Sequence, residues 1–315
     1  MYEENLQKGK IGIIEENNFM EIAFVVLHYM AVEETYRCVE FIEKNIDTID
    51  YGIVIVDNAS PDGSGKILYE KFSQNEKVNV ILNKENIGFA RGNNVGYKYA
   101  KDKWNPRYII LLNNDVYLYE KSLLQKLDTE YENSTFYVLG PLIMTADGRC
   151  DINPDKAIFN SVDDIEKEIK KYEKLYRRYK YYYEYILAWI ISISRAILVK
   201  QNPEKDHKNF LERAENVKLH GCFLVFSKEY ISQYEGLDES TFLYWEEEFL
   251  YKHMLSEQRK TVYNPNIIVY HKEDASTNSS IAGGRKKKMF IYKNYINSLK
   301  ELKKLFLYYE SMEKV

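Results

Sequence analysis

A short polar segment, Asn113-Asn114-Asp115, follows an apolar stretch and combines one carboxylate with two amides. A carboxylate at the end of an apolar strand is costly unless it is paired or binds a metal. A hard cation that holds a diphosphate needs only one or two protein carboxylates, because the phosphates supply further oxygens. The segment is therefore a candidate for binding a diphosphate together with a divalent cation.

Two further polar segments follow apolar stretches. Asp57 ends the run GIVIVD and is placed to accept hydrogen bonds from a nucleobase or a ribose. Asn86 and Arg91 lie where a glycine turn, NIGFARGNN, opens a helix. Backbone N–H groups at a helix start bind phosphate, and Arg91 would add a counter-charge. Asn, Asp and Gly also build ordinary turns, but three such segments in succession favour one shared site.

An acidic cluster, Glu246 to Glu248, follows two aromatic residues, Tyr244 and Trp245. Three glutamates after aromatic residues often form the exposed start of a helix, where acids favour the positive end of the dipole. The alternative is that one carboxylate acts as a general base, because crowding and burial raise the pKa of a carboxyl group. The sequence leaves both interpretations open.

His271 ends the apolar run NIIVYH and is the histidine best placed for a ligand role. A lone histidine more often has a structural role than a ligand role. The position of His271 at a strand exit makes a ligand role more plausible than it is for a histidine elsewhere. The remaining histidines are interpreted as structural: His28, His207, His220 and His253.

The elements that position these residues alternate along the first 140 residues. Stretches with helical spacing separate five apolar, β-type runs, which cover residues 22–29, 52–58, 78–83, 108–115 and 136–140. This alternation predicts βαβ units, and hence a mostly parallel sheet covered by helices on both faces. In such sheets, ligands bind beyond the carboxyl ends of the strands, where the three polar segments lie. Further β-type runs cover residues 222–226 and 261–271, and a helix is predicted to start near Trp245.

Two basic, tyrosine-rich segments stand apart from this pattern. Residues 167–180 contain seven Lys/Arg, and residues 283–315 contain nine Lys/Arg against three Asp/Glu. The second segment places five apolar or aromatic residues on one predicted helical stripe: Ile291, Tyr295, Leu299, Leu302 and Phe306. Basic amphipathic helices bind anionic membranes. Packing on the domain or on a second subunit is an equally weighted alternative.

Composition limits the remaining classes. The chain has 315 residues, a formal net charge of -4 and three widely spaced cysteines. This balance argues against nucleic-acid binding by the whole protein, and the cysteines argue against a disulfide framework. The N-terminus lacks the apolar core of a signal peptide. The longest apolar run, residues 186–199, has 14 residues and includes Arg195, whereas a spanning helix needs about 20. We therefore expect a cytoplasmic protein, with peripheral contact to the inner face of the plasma membrane still open.

Eight motifs in order resemble the family 2 glycosyltransferases of the GT-A fold, most closely the non-processive, rhamnosyltransferase-like bacterial enzymes. The likeness covers residues 22–276. Its carriers are FVVLHYMAVEET, VIVDNASPDGS, NKENIGFARGNNVGY, YIILLNNDV, GPLIMTADGR, HGCFLVFSKEY, GLDESTFLYWEEEFL and NPNIIVYHKEDAST.

The resemblance implies inverting transfer from a UDP- or dTDP-sugar to a glycan hydroxyl, with magnesium or manganese as the cofactor. Matched by position, the site residues for the nucleotide sugar are Asp57, Asn86, Arg91, Asn113, Asn114 and Asp115. Asp115 and His271 would approach the metal, and Glu247 would be the catalytic base. Glu246, Trp245 and Tyr244 would support the site or the acceptor.

Several positions depart from the family pattern. The metal motif lacks its first carboxylate, and Glu246-Glu247 replaces the usual Glu-Asp. Phe249 stands where many members have a further Asp, and Met30 replaces a common Asn. No Gln-x-x-Arg-Trp motif follows, which argues against a processive synthase.

The expected organisation has three parts. An N-terminal extension covers residues 1–21, a GT-A catalytic domain covers 22–282, and a basic amphipathic helix covers 283–315. The catalytic domain would comprise a nucleotide-sugar half (22–145), a helical insertion (150–215) and an acceptor half (216–282). The family suggests a lipid-linked glycan acceptor in capsular, cell-wall or O-antigen synthesis, with a homo-oligomer as another use of the basic helices.

Two other functions remain open. A catalytically silent nucleotide- or sugar-binding protein is compatible with the incomplete metal motif. A sugar nucleotidyltransferase is disfavoured, because it would carry a basic, glycine-rich loop after the first strand and HYMAVEETYR has neither feature.

Overall fold

The computed structural model describes residues 20–181, 210–272 and 284–312. The strands are β1 (Ile22–His28), β2 (Tyr51–Asp57), β3 (Val78–Leu82), β4 (Tyr108–Asn113), β5 (Val116–Leu118), β6 (Val138–Thr145), β7 (Ala214–Glu215), β8 (Phe223–Ser227) and β9 (Thr261–His271). The helices are α1 (Val32–Asn45), α2 (Ser64–Phe72), α3 (Phe89–Trp104), α4 (Leu123–Ser134), α5 (Val162–Lys180), α6 (Lys228–Gln233), α7 (Glu246–Ser256) and α8 (Gly284–Met312). The apolar run 186–199, His207 and the extension up to residue 19 lie outside the described residues.

The described strands form one mixed sheet in the order β3-β2-β1-β4-β8-β6-β9-β5, with β7 paired to β9. Strands β1 to β4, β6 and β9 run in one direction, whereas β5, β7 and β8 run against it. The predicted α/β class with a mostly parallel sheet is therefore confirmed. The reversal of β8 matters for the site, because it brings the start of β8 beside the carboxyl end of β4.

Both faces of the sheet are covered by helices. Along β1, Phe24 and Val26 join a cluster with α1, α2 and α4, while Ala23 and Val25 join a cluster with α3, α6 and α7. All four side chains are fully buried, so the strand reads as a continuous apolar run. This explains why continuous apolar runs, and not an alternating pattern, locate β1, β2 and β4 in the sequence.

A third apolar cluster joins the two basic segments to each other and to α7. It contains Phe159, Ile165, Ile169, Phe249, Ile296, Leu299, Leu302 and Phe306. Helix α8 packs along α5, and three members of the predicted stripe are buried: Leu299, Leu302 and Phe306. The C-terminal segment is thus packed on the body of the protein, which was one of the alternatives left open by the sequence.

Two strand predictions differ from the structure. The run expected at 136–140 is β6, which begins at Val138 and continues to Thr145. Its extension pairs with β9 across a register shift after Pro141, and such long-range pairing is invisible in local periodicity. Inside the stretch expected to be a helical insertion, Ala214–Glu215 forms β7. None of the described helices is both long enough and apolar enough to cross a membrane.

Candidate active site

The carboxyl ends of β1, β2 and β4 lie side by side. Parallel register pairs His28 with Asp57, and Leu27 with Asn113. The His28 ring is fully buried and makes hydrogen bonds to the hydroxyls of Thr35 (2.7 Å) and Ser64 (2.8 Å). Burial lowers the pKa of His28 to about 4, so the ring is neutral. His28 therefore fastens the strand edge, in agreement with its structural interpretation.

The Asp57 carboxylate lies between the following loop and α2. Its Oδ1 accepts hydrogen bonds from the Ser60 amide (3.1 Å) and hydroxyl (2.5 Å). Gly65 approaches so closely that a Cβ atom there would lie 2.0 Å from Asp57 Oδ2. The structure thus holds this carboxylate in one orientation at the strand edge.

The turn that carries Asn86 is connected to the Asp57 loop through Asn58. Asn58 Nδ2 donates to Asn86 Oδ1 (3.1 Å) and to the Gly88 carbonyl (3.0 Å). Gly88 has a φ of +91°, and a Cβ atom there would lie 2.1 Å from the Phe242 carbonyl oxygen. The turn therefore requires glycine, and it packs against the segment that precedes α7.

Arg91 lies on the exposed side of α3. Its Nε donates to the Glu239 carbonyl (3.0 Å), which ties α3 to the segment before α7. The expected role of Arg91 as a phosphate counter-charge stays a prediction.

Two side chains of the Asn113-Asn114-Asp115 segment contact different parts of the fold. Asn114 Nδ2 donates to Thr35 Oγ1 (3.0 Å), whereas Asp115 Oδ1 lies 3.2 Å from His271 Nε2. The antiparallel pairing of β5 with β9 creates the second contact by placing Val116 opposite His271. Burial opposes protonation of His271, but Asp115 and Cys222 outweigh it and raise the pKa to about 10.

The residues present fit a divalent cation with few protein ligands. Asp115 offers a carboxylate, and His271 Nε2 beside it would become a second ligand once the ring gives up its proton. Within residues 20–181, 210–272 and 284–312, no group of three His, Cys, Asp or Glu side chains could hold a metal. A cation held here would therefore complete its shell with amide, phosphate and water oxygens, as Mg²⁺ commonly does.

A cavity of about 410 Å³ opens at this edge of the sheet. Six residues predicted for the site line it: Asn113, Asn114, Tyr244, Trp245, Glu246 and Glu247. Asp57, Asn86, Arg91, Asp115 and His271 lie outside its lining. The Asp115–His271 pair lies behind the lining residue His220. The ring centroids of His220 and His271 are 6.0 Å apart.

The three glutamates that open α7 occupy three different environments. Glu246 is buried and accepts a hydrogen bond from Thr241 (3.2 Å), and burial together with the Glu247 charge raises its pKa to about 8. Glu248 is 2% exposed and forms an ion pair with buried Lys218 (2.6 Å). Glu247 is half-buried in the cavity wall, where its Oε1 accepts a hydrogen bond from the Gly221 amide (3.2 Å). Glu246 and Glu247 both line the cavity without an ion pair among the described residues, and Glu247 is the more exposed of the two.

The lining residues that sequence reasoning did not assign to the site include Asp155, Lys218, His220 and Tyr295. His220 was interpreted as structural. The reversed direction of β8 would have revealed it, because an antiparallel strand starts where its parallel neighbours end. Asn113 N donates to the Cys222 carbonyl (3.0 Å), which fixes this juxtaposition.

Comparison with known proteins identifies the family of the chain. The family model described as "Glycosyl transferase family 2" matches residues 24–200, which is more than half of the chain. The chain belongs to glycosyl transferase family 2. The rhamnosyltransferase-like part of the resemblance is not tested by this match and stays a prediction. Among curated relatives, a family resemblance is found to the low-salt glycan biosynthesis hexosyltransferase Agl10 of Haloferax volcanii, which is 22% identical over 247 residues.

Solved structures show the same fold. S. aureus TarS 1–349 in complex with UDP-GlcNAc superposes with a TM-score of 0.51 at 12% identity, over 84% of this chain and 62% of that chain. GalNAc-T7 with UDP, GalNAc and Mn²⁺ gives a TM-score of 0.52 at 14% identity, over 94% and 56%. The predicted GT-A architecture of this family 2 chain is thereby confirmed. The chain matches over 76% of its own length and 63% of the length of Agl10, so it spans about three fifths of that relative.

Proposed function

We propose that this family 2 chain is an inverting, metal-dependent, non-processive glycosyltransferase that moves a sugar from a UDP- or dTDP-sugar to a glycan hydroxyl. The observation that carries the proposal is the position of Glu247, which has no ion pair within the described part of the chain and lines a cavity that Asn113 also lines. The proposed base and one edge of the proposed donor site would thus face the same cavity.

The donor would lie along the carboxyl ends of β1, β2 and β4. Asp57 would accept from the base or ribose, and Asn86 and Arg91 would flank the nucleotide. Asn113, Asn114 and Asp115 would face the diphosphate. The bound UDP-GlcNAc of the structural neighbour TarS supports a nucleotide-sugar donor.

Glu247 would act as general base in a single displacement. Its carboxylate takes the proton of the acceptor hydroxyl while that oxygen forms a bond to the anomeric carbon. The bond from this carbon to the diphosphate oxygen breaks, and the electron pair leaves with the nucleoside diphosphate. Attack from the face opposite the leaving group inverts the configuration. A positioned base of this kind typically contributes about 10²–10⁴ in rate.

Asp115 and His271 would hold the cation, with Asn113 beside it. A divalent cation such as Mg²⁺ or Mn²⁺ supplies a Lewis acid that neutralises charge on the departing diphosphate. The Mn²⁺ in the GalNAc-T7 structure supports a cation in this fold. We expect Asp115→Ala to abolish transfer without unfolding the protein.

A donor screen tests the function. Purified protein is incubated with a panel of UDP- and dTDP-sugars, with Mg²⁺, Mn²⁺ or EDTA, and nucleoside diphosphate release is measured by mass spectrometry. Metal-dependent release from at least one donor supports the proposal. Absence of release with every donor from folded protein would instead support a silent nucleotide- or sugar-binding protein.

A lipid-linked acceptor at an anionic membrane is the setting we propose, in line with capsular, cell-wall or O-antigen synthesis. Helices α5 and α8 pack through apolar faces and leave lysines exposed on both, among them Lys170, Lys174, Lys286 and Lys293. Each exposed lysine near an anionic surface contributes about 1 kcal/mol of attraction.

Charge reversal tests the membrane contact without removing a packed helix. We expect K170E/K174E/K286E/K293E to lose binding to phosphatidylglycerol vesicles. The matched control reverses four exposed lysines elsewhere: Lys66, Lys71, Lys84 and Lys121. If both variants co-sediment with the vesicles to the same extent as the unmodified protein, this surface is excluded as the membrane contact.

A further inference from the structure

The lining of the cavity comes from two groups of elements. The strand edge contributes Leu27, Tyr29, Asn113 and His220, whereas α7, its preceding segment and α8 contribute an aromatic group. This aromatic group consists of Tyr244, Trp245 and Tyr295, and we call it the aromatic wall. Tyr295 belongs to the C-terminal helix, about 50 residues further along the chain than its two partners.

The aromatic wall is a packed unit. The Tyr295 ring lies 4.8 Å from the Tyr244 ring in an edge-to-face arrangement and 5.3 Å from the Trp245 ring. Tyr172 of α5 supports Tyr295 from behind, with ring centroids 4.8 Å apart. Ser298, one turn along α8, donates to the Leu243 carbonyl (3.0 Å). Helix α8 therefore holds the segment before Glu246 in place.

The segment that carries the wall has an unusual backbone. Tyr244 and Trp245 have φ values of 76° and 73°, a left-handed conformation that side chains other than glycine rarely adopt. Each such residue costs roughly 1–3 kcal/mol and persists where its surroundings fix it. Here the surroundings are the α8 contacts of the aromatic wall, and the result is that two aromatic rings line the cavity directly before the acidic cluster Glu246 to Glu248.

The aromatic wall is partly accessible to solvent, and one of its polar atoms has no hydrogen-bond partner among the described residues. Tyr244, Trp245 and Tyr295 are half-buried rather than enclosed. The indole Nε1 of Trp245 is buried and finds no hydrogen-bond acceptor among the described residues. Apolar ring faces with a few polar groups are typical of ligand pockets, and aromatic rings offer an apolar body with a polar tip.

The wall lies on the acceptor's side of the reaction. A base must contact the hydroxyl that attacks, so the acceptor sugar must lie against Glu247. Glu247 follows Trp245 by two residues, and its side chain lines the same cavity as Trp245 and Tyr295. The strand-edge residues of the cavity remain for the donor.

We propose that Tyr295, with Tyr244 and Trp245, forms the subsite that binds the pyranose ring of the acceptor, through contact of its apolar C–H face with the aromatic rings. This inference rests on the proposed glycosyl transfer. It gives the C-terminal helix a role in acceptor recognition that is separate from membrane contact.

Kinetics with substituted Tyr295 test the subsite. The probes are p-nitrophenyl glycosides of glucose, galactose, mannose, rhamnose and N-acetylglucosamine, with the donor found in the screen. We expect Tyr295→Ala to raise the acceptor KM about 5- to 10-fold, with a donor KM within about two-fold of the unmodified protein. Tyr295→Phe keeps the ring and should keep the acceptor KM. Tyr292→Ala is the matched control, because Tyr292 stacks on Tyr172 from the same helix yet does not line the cavity.

A binding measurement separates this inference from the proposed function. Saturation-transfer NMR with the same glycosides, in the absence of donor, reports sugar binding whether or not transfer occurs. We expect signals for at least one glycoside that Tyr295→Ala weakens and Tyr292→Ala does not. If Tyr295→Ala fails to fold, Tyr295→Leu keeps the apolar volume and removes the aromatic face. Equal signals in the two variants, no signal from any glycoside, or an equal rise of both KM values in Tyr295→Ala would overturn the subsite.

Discussion

Adjacent glutamates at the start of α7 differ in the physical environment of their carboxyl groups. Glu246 is buried beside Thr241, Glu247 faces the cavity, and Glu248 is neutralised by Lys218. Pairs of titratable groups whose environments push their pKa values apart are a common basis for acid and base roles. Both Glu246 and Glu247 line the cavity, but Glu247 is the more exposed, so we assign to Glu247 the exchange of a proton with a ligand.

Replacing Glu247 should remove the base and little else. We expect Glu247→Gln to lower kcat by about 10²–10⁴, because the amide cannot accept the acceptor proton. The amide oxygen can still accept from the Gly221 N–H, so the fold and the donor KM should be kept. Steady-state transfer kinetics and circular dichroism check both statements. Full activity in Glu247→Gln together with a loss in Glu246→Gln would move the base to Glu246.

The raised pKa of Glu246 predicts a pH-dependent stability. An unfolded glutamate titrates near 4.5, whereas Glu246 titrates near 8 in the fold. Between these values the unfolded chain releases the proton and the folded chain keeps it, so the free energy of unfolding falls as pH rises. The Glu246 contribution is present below pH 4.5 and lost as pH rises through 8.

We therefore compare the free energy of unfolding of Glu246→Gln with that of the unmodified protein, measured by urea denaturation at pH 5 and pH 8.5. The difference between the two proteins should shift in favour of Glu246→Gln by about 2–4 kcal/mol from the lower to the higher pH. The control is Glu40→Gln, because Glu40 is exposed on α1. A stability difference for Glu246→Gln that stays constant across this range would contradict the assignment of the buried proton.

At the scale of elements, a buried ion pair joins three segments: the one before α5, the one before β8, and the start of α7. Lys218 Nζ lies 2.6 Å from Glu248 Oε1 and 2.7 Å from Asp155 Oδ2, and the Ile158 amide donates to Glu248 (3.3 Å). Burial lowers the pKa of Lys218, but the Glu248 and Asp155 carboxylates outweigh it and raise the pKa overall. The ammonium is therefore charged. Together with Glu248 it holds the segment before α5 in place at the cavity wall.

Removing one partner of this buried pair should be costly. Lys218→Met leaves the Glu248 carboxylate buried without its cation, which typically costs about 3–5 kcal/mol of unfolding free energy. The double variant Lys218→Met/Glu248→Leu should recover most of the loss, because no buried charge is left unpaired. The control, Lys66→Met, breaks an exposed pair with Glu70 and should cost less than about 1 kcal/mol. Urea denaturation that gave equal losses for Lys218→Met and Lys66→Met would show that the buried pair carries no special weight.

Elements that are defined by local periodicity could be predicted from sequence, and those defined by long-range pairing could not. The apolar runs that became β1, β2 and β4 placed Asp57 and Asn113 at one edge, since parallel strands end together. The direction of β8 depends on its pairing with β4, so His220 was missed. Tyr295 was placed on the correct stripe, but its meeting with Tyr244 depends on how α8 docks, which no local pattern encodes.

At the scale of the whole molecule, the charge pattern and the packing pattern coincide. The two basic segments expected to be appendages bury their apolar sides against each other and against Phe249 of α7. Their lysines also form ion pairs across the contact, as between Lys303 and Glu166 (2.6 Å). The basic helices thus belong to the folded body and complete the cavity through Tyr295.

This integration predicts that the C-terminal helix unfolds together with the sheet. Leu302 is fully buried at the contact of α8 with α5, whereas Leu307 on the same helix is 47% exposed. We expect Leu302→Ala to lower the unfolding free energy of the whole protein by about 2–5 kcal/mol through the lost contacts and the cavity left behind. Leu307→Ala is the matched control and should change stability by less than about 0.5 kcal/mol.

Two probes of the same denaturation decide whether the unit is cooperative. Far-UV circular dichroism follows all helices, and tryptophan fluorescence follows Trp245 together with Trp104 and Trp189. Because α8 contacts Tyr244 and Trp245 directly, both signals should shift to the same lower urea midpoint in Leu302→Ala. The alternative outcome is an early loss of helical signal at an unchanged fluorescence midpoint, which would mean that α5 and α8 unfold independently of the sheet. The docking that brings Tyr295 to the cavity would then be dispensable for the stability of the catalytic body.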